Sequence, residues 1–482
     1  MGRYMFTTAP LFGRFHSPRK KCADFLRRQP LHHLKSVCQD RINPELLKPN
    51  ERGVNSRKCI FTPELSFFGF LDHVLNPGTS CRNAAHQIRA CHQALPDCPD
   101  IDGDDSAYCQ ARDRWTLDEL IEIRRDLAAH TSVGLSSLAP ELAAVTRPLK
   151  VVDGSSINAP DSAKNRETYP QSDSQNPGCG FPLINMVGIF CLHTGVLLER
   201  SYGPFRTSEN ALFHQLWPTF KKGDIILGDR LFGSYCDTFA LKDMGVDCLW
   251  RNPSTRNADL RQGTRLGAWD RLITWSKPPK KPNAIAQELW EKVPPTLSLR
   301  LLRFRVPARN ARSRKVTLVT TLTDPVLWPL KLLAELYARR WKIELYWDDI
   351  KTTLQMDMLR CKSPTMVHKE MEMHFISYNL IRSIMAEAAE VCQAPLDRMS
   401  FKGTMDAALE YSRMIQIIPA SRRKRRLALY GEMLAAIAKD QVPDRPGRRE
   451  PRCQKRRPKA YPFMTKPRRQ MKDRPKTGYR SL

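Results

Sequence analysis

The sequence predicts an α/β protein built on a mixed sheet, and three observations carry that prediction. From Leu149 onward the hydrophobic pattern runs strand, hairpin, helix, strand, helix, strand. After Trp250 a β-rich stretch interrupts this order, with strand-like runs at Leu272–Trp275, Leu297–Val306 and Lys315–Leu322 between Pro- and Arg-rich turns. A strongly patterned helix around Tyr337 then returns to the first pattern.

Taken in order, residues 1–145 mix short helical patterns with loops. Ser66–Val74 is apolar and Trp115–His130 reads as an amphipathic helix. Leu149–Val152 is a short strand closing on Asp153-Gly154-Ser155. Leu183–Leu192, a His193-Thr194-Gly195 turn and Val196–Tyr202 form a hairpin. Thr207 or Ser208 can cap a helix running to about Phe220. Asp224–Leu227 is a strand ending at Gly228-Asp229-Arg230, and a helix over about 235–244 leads through Gly245 into the strand Val246–Trp250. This is the order of a ribonuclease-H-like core, in which the first and fourth strands lie side by side. Asp153 and Asp229 would then end neighbouring strands. A further helix covers about 366–391, and another follows the basic run Arg422–Arg426.

The division expected is a mainly helical N-terminal region over 1–145 and a first part of the core over 146–251. A β-rich insertion over 252–330 and a second part of the core over 331–440 follow, with a basic tail over 441–482. From Pro443 the tail holds 15 Lys or Arg against 3 acids, with seven prolines. Such a composition cannot build a core and reads as a flexible arm.

The chain of 482 residues carries a formal net charge of +28. An excess of that size repels itself unless a polyanion neutralises it, and nucleic acid is the usual one; an acidic membrane surface is the competitor. No uninterrupted run of 18 apolar residues exists, and the first twenty residues lack an apolar segment with a cleavage site. A soluble, cytoplasmic protein with no membrane partner is expected. The 14 cysteines are scattered and form no C-x2-C pair, so reduced structural thiols are expected. His86, Cys91, His92 and Cys98 could be metal ligands but read better as ordinary scatter. The acidic loop at Asp100, Asp102 and Asp104 fails as a calcium site, with Asp105 where a Gly is needed and Ala111 where a Glu is needed.

The most specific pattern is Tyr337-x2-Arg340-x3-Glu344-x6-Lys351. On one straight helix these four side chains fall within an arc of about 60°. Leu336, Ile343, Trp347, Ile350 and Leu354 form an apolar stripe beside them. One carboxylate among two cations and a phenol suits a metal ligand at a nucleic-acid backbone; a chance Arg340–Glu344 pair on a surface helix is the plainer alternative. Asp153, Asp229 and Glu344, two from adjacent strands and one from a later helix, suit a cage for two divalent cations. Mg²⁺ prefers such oxygen ligands, and Mn²⁺ can substitute. Each acid also has a plainer role: Asp153 in a turn, Asp229 in a strand-end salt bridge. Asp161 reads as a turn cap and not as a ligand.

These residues resemble a DDE transposase of bacterial insertion sequences, in the insertion-sequence-four family, whose hallmark is this Tyr-Arg-Glu-Lys box. The likeness runs from about Ser80 to Pro467. It includes Val151–Ser155, Tyr169–Gln171, Gly180–Pro182, Gly228–Arg230, Thr320–Pro325, Leu359–Pro364, Tyr378–Arg382 and Lys455–Pro458. The resemblance implies that Asp153, Asp229 and Glu344 are the catalytic, metal-binding acids and that Tyr337, Arg340 and Lys351 handle the DNA end. It also implies double-stranded DNA partners (terminal inverted repeats and target), a homodimer joining two ends, and work at the bacterial nucleoid. A DNA-binding regulator without catalysis, and a nuclease without strand transfer, are the alternative functions.

Overall fold

The computed structural model describes residues 32–38, 41–49, 61–93, 104–132, 142, 145–306, 314–443, 463–467 and 470–471. Cys98, Asp100, Asp102 and most of the basic tail lie outside them, as do the side chains of Cys91 and His92. The described chain forms two compact units. One contains residues 1–40, 47–114 and 406–433, and the other 41–46, 115–405 and 434–482.

In the first unit, α1 (Pro63–Leu75), α2 (Cys81–Gln93) and α3 (Ser106–Asp113) pack around Phe61, Leu65, Ile88 and Tyr108. Thr62 caps α1 by accepting from the Leu65 amide, and Pro63 sits in the first turn where its missing N–H costs nothing.

The second unit begins with α4 (Leu117–Ser132) and is organised by one nine-stranded sheet. Its strands are β1 (Leu149–Asn158), β2 (Leu183–Cys191), β3 (Leu197–Pro204), β4 (Ile225–Gly228), β5 (Asp247–Arg251), β6 (Thr264–Gly267), β7 (Asp270–Ser276), β8 (Thr296–Val306) and β9 (Arg314–Thr320). The order across the sheet is β3-β2-β1-β4-β5-β9-β8-β7-β6. β1, β4 and β5 are parallel, while the β2–β3 hairpin and β9 to β6 pair antiparallel. The first and fourth strands are therefore neighbours, as the sequence predicts. The β-rich segment is not a sheet of its own. β9 zips onto β5 (Trp250↔Val319), so the same sheet runs on through β6–β9.

Between the strands stand α5 (Ala163–Thr168), α6 (Glu209–Leu216), α7 (Tyr235–Asp243) and α8 (Gln287–Lys292). Ser208 caps α6 and Ser234 caps α7, each accepting from an amide three residues on. The apolar face of α6 meets the sheet through Leu212 and Phe213, in one core with Val152, Ile226, Trp250, Leu299 and Val319. Residues of β8 and β9 thus share one buried cluster with residues of β1, β4, β5 and α6.

The expected single box helix is broken. α9 (Leu330–Arg339) ends at Arg340, α10 (Lys342–Asp348) restarts, and Asp349–Thr353 form one π-helical turn. The apolar stripe holds nonetheless: Leu336, Ile343, Trp347, Ile350 and Leu354 are all buried. α11 (Pro364–Cys392) is a 29-residue helix buried along most of its length. α12 (Phe401–Ile417) and α13 (Arg423–Lys439) close the helical order. Among the described residues no helix is long and apolar enough to cross a membrane. The tail is not wholly detached: Asn176 donates to the Thr465 carbonyl at 3.2 Å, and Pro467 lies against Gly178.

α11 carries polar residues inward, and each has a partner. Glu372 accepts from Arg124 of α4 and from Arg200 of β3, and Arg124 also holds Glu199 at 2.6 Å. Tyr378 donates to the Gly195 carbonyl at 2.6 Å, and Asn379 both accepts from and donates to the Leu197 backbone. Arg382 donates to the Thr194 carbonyl at 2.8 Å. The Tyr378–Arg382 motif therefore clamps the β2–β3 turn, which satisfies a loop backbone that would otherwise be buried without partners.

Candidate active site

Parallel pairing of β1 with β4 builds the site. The last paired residues are Val151 and Leu227, and Asp153 and Asp229 each stand two residues further along their chains. Equal offsets in adjacent parallel strands bring the two acids side by side at the end of the pairing. Beyond it β1 continues to Asn158 against β2, longer than the sequence suggests, with Asp153 opposite Gly188.

The carboxylates feel one another. Burial pushes the Asp153 carboxyl up to about 6, opposed by the Arg340 guanidinium and a backbone hydrogen bond, with Asp229 and Glu209 pushing the same way as burial. Glu209, the first residue of α6, is itself raised by burial and by Asp229. Asp229 accepts from the Leu231 amide at 2.7 Å. Sequence reasoning missed Glu209, because an acid in the first turn of a helix is ordinary.

The box residues approach from the helical side. Tyr337 is 1% and Arg340 7% exposed, so both are interior groups. Arg340 lies over the Tyr337 ring, 5.5 Å from its centroid, and its Nε has no hydrogen-bond partner. Burial raises the Tyr337 phenol, opposed by Arg340 and Arg251. Lys351 donates to Ser155 Oγ at 3.2 Å, two residues beyond Asp153 on the same face of β1. Trp347 lies over Gly188, where a Cβ would come within 2.8 Å of its ring. Glycine is thus required for α10 to lie this close to the sheet.

Glu344 is exposed, and its carboxylate makes no hydrogen bond or ion pair among the described residues. It is carried on α10, which packs against β1. The structure thus joins Asp153, Asp229, Arg340 and Tyr337 electrostatically and Lys351 by a hydrogen bond, and leaves Glu344 at the rim. Asp161 stands apart, exposed and paired with Arg166 at 2.5 Å.

The donor set fits a hard divalent cation. Asp153, Asp229 and Glu209 offer only carboxylate oxygens, and among the described residues none forms an ion pair with a protein cation. The carboxylates are spaced and not clenched. Among the described residues, groups with ligand atoms all within 4.8 Å are His32–His33–Asp72 and Cys81–Asp105–Cys109.

The site is thus a pair of acids at the ends of two parallel strands of a mixed sheet, faced by a buried guanidinium and a buried phenol. Residues 146–380 match the family model of the transposase DDE domain. The chain is 28% identical over 322 residues to the transposase InsG for insertion sequence element IS4 of Escherichia coli (strain K12), covering 66% of this chain and 70% of that protein. It is 29% identical over 110 residues to the putative transposase InsZ of the same strain, covering 23% of this chain and 37% of that one. A solved piggyBac transposase synaptic complex with hairpin DNA is 12% identical, with a TM-score of 0.40 over 88% of each chain. The chain is thus similar to transposases, through a transposase DDE domain over residues 146–380 and through the transposase of insertion sequence IS4 over 322 residues. Its function is DNA transposition, by phosphodiester hydrolysis and transesterification with divalent metal ions as in that family.

Proposed function

We propose that Asp153, Asp229 and Glu344 are the metal-binding catalytic acids of a transposase that excises its own insertion sequence and joins it to target DNA. The observation that carries this reading is the in-register pairing of β1 with β4, which sets Asp153 beside Asp229 within the matched 146–380 segment. Glu344 lies in the same segment, on α10, which rests on the sheet through Trp347 on Gly188 of β2, while the turn after it reaches β1 through Lys351 on Ser155. Mg²⁺ is the proposed ion, with Mn²⁺ as a substitute, because all the donors are carboxylates. When bound, such ions activate the attacking oxygen and stabilise the leaving one.

The chain's own groups do the rest. Arg340 and Lys351 would meet the phosphate at the cut and its neighbour, and Tyr337 would orient Arg340 and share a phosphate oxygen. The strand order supports a ribonuclease-H-like core over 146–251 and 331–440, with 252–330 as its β-rich insertion. In this reading residues 1–145 recognise the terminal inverted repeats, 441–482 add nonspecific affinity, and a homodimer joins two ends. The work is done in the bacterial cytoplasm at the nucleoid, where the double-stranded DNA is.

Glu344→Ala, Asp153→Ala and Asp229→Ala should each abolish Mg²⁺-dependent cleavage of an element end while DNA binding is kept. Asp161→Ala should cleave normally. Cleavage at the wild-type rate by any of the first three variants removes that residue from the set.

A further inference from the structure

We propose that Cys81, Asp105 and Cys109 form a zinc site in the first unit, independent of the assignment of Asp153, Asp229 and Glu344. Among the described residues their three ligand atoms all lie within 4.8 Å of one another. Tetrahedral Zn²⁺, bound at about 2.0–2.3 Å, sets its ligands roughly 3.3–3.8 Å apart, so one ion can bridge these three. Neither cysteine is in a disulfide, and both are half-buried, within reach of an entering ion.

Two helices bring the donors together. Cys81 is the first residue of α2, and it packs on the core of Phe61, Ile88 and Tyr108 that joins α2 to α3. Asp105 and Cys109 stand four residues apart at the start of α3, a spacing that shares one helix face. No C-x2-C spacing announces the pair in the sequence, because its thiols come from different helices.

Two further observations point to a ligand there. Asp105 occupies the N-cap position of α3, yet its carboxylate makes no capping hydrogen bond and lies with the thiols instead. Arg112 donates to Cys109 Sγ at 3.9 Å. Its guanidinium is buried over the Phe70 and Tyr108 rings, 4.9 and 5.2 Å from their centroids. A donor fixed in this way orients a ligating sulfur and favours its thiolate. Two thiolates and a carboxylate carry three negative charges, which Arg112 and one divalent ion balance. Thiolates select Zn²⁺ over Mg²⁺, and water takes the fourth position. The other group of this kind, His32–His33–Asp72, is closed by its own hydrogen bonds, since the two ring nitrogens of His33 engage Asp72 and Ser412.

The test uses the full chain, reduced and stripped of metal, titrated with Co²⁺ as a spectroscopic probe and with Zn²⁺ against a chromophoric chelator. Co²⁺ should give a sulfur-to-metal charge-transfer band with d–d bands of tetrahedral strength; Zn²⁺ should abolish them and excess Mg²⁺ should not. Cys81→Ser and Cys109→Ser should each lose the band. Asp105→Asn keeps both thiols and should weaken Zn²⁺ binding by at least about the tenfold that loss of an outer-shell partner costs. Zn²⁺ should raise the melting temperature of the wild type and of none of these variants. Asp105 lies at the rim, so Asp105→Asn should melt with the wild type in EDTA and decides the matter should a cysteine variant fail to fold. Unaltered Zn²⁺ affinity in any folded variant overturns the site. So does a band that survives in the Cys81→Ser/Cys109→Ser double variant, which would place the ion on other cysteines. Recovery of the pair as a disulfide, with no zinc bound after reduction, would also overturn it and make these thiols a redox couple.

Discussion

At the scale of the residue, the site is held in tension by its own charges. The Asp153 carboxyl stands at about 6 in the folded protein against an ordinary value of 3.8. Between those values the folded chain holds a proton that the unfolded chain releases, so stability falls as pH rises through that window. Above it, the ionised, partly buried carboxylate is a standing cost to folding. Asp153→Asn removes that cost. In EDTA, its melting temperature should exceed that of wild type at pH 7.5, and the gap should shrink at pH 5. Adding Mn²⁺ should raise the wild type and not the variant. An equal gap at both pH values would show that burial and the neighbouring acids do not raise the Asp153 carboxyl. Glu372 is the opposite case, a buried acid fully paired by Arg124 and Arg200. Glu372→Ala leaves two guanidinium groups short of a partner, and should cost about 3–5 kcal/mol in chemical denaturation. A cost under about 1 kcal/mol would mean that water replaces the carboxylate.

At the scale of the element, the parallel strands and the hairpin were legible because each rests on a local pattern. Val151-Val152 before Asp153 and Ile225–Leu227 before Gly228-Asp229 are short apolar runs ending at acids, and the crossover between them forces a parallel pair. The break in the box helix was not legible. A turn at Arg340–Trp341 and a π-helical turn at Asp349 leave the apolar spacing intact while changing where the polar residues point. Tyr337 and Arg340 accordingly go inward and Glu344 stays at the rim. The joining of β9 to β5 was equally hidden, because it depends on a partner some seventy residues away. Among the contacts that seat the box is Trp347 over Gly188. Gly188→Ala should lift α10 from the sheet, costing about 1–3 kcal/mol as overpacking does, and should depress cleavage more than DNA binding. Trp347→Phe in that background frees space for the methyl group and should recover part of the loss. A double-mutant cycle with no coupling would place the helix's seat elsewhere.

At the scale of the whole molecule, a net charge of +28 must be distributed between a locally acidic candidate site and surfaces that can meet DNA. The acids are gathered at the ends of β1 and β4, and a large share of the excess lies in the last forty residues, with 15 Lys or Arg against 3 acids from Pro443 onward. These charges are remote in sequence from Asp153, Asp229 and the box, so they should govern attraction to phosphate and not its chemistry. Each phosphate neutralised on duplex DNA contributes about −0.9 to the slope of log affinity against log salt. Removing residues 443–482 should therefore weaken binding, flatten that slope, and leave metal-dependent cleavage intact at low salt. The contacts of Thr465 and Pro467 with the loop at Asn176 and Gly178 add a second expectation. A deletion of 468–482 alone keeps them, so it should flatten the slope with no change in melting temperature, whereas the longer deletion lowers it slightly. An unchanged slope in both deletions would show that the tail takes no part in DNA binding. A collapse of folding in the longer one would make this segment part of the core's support.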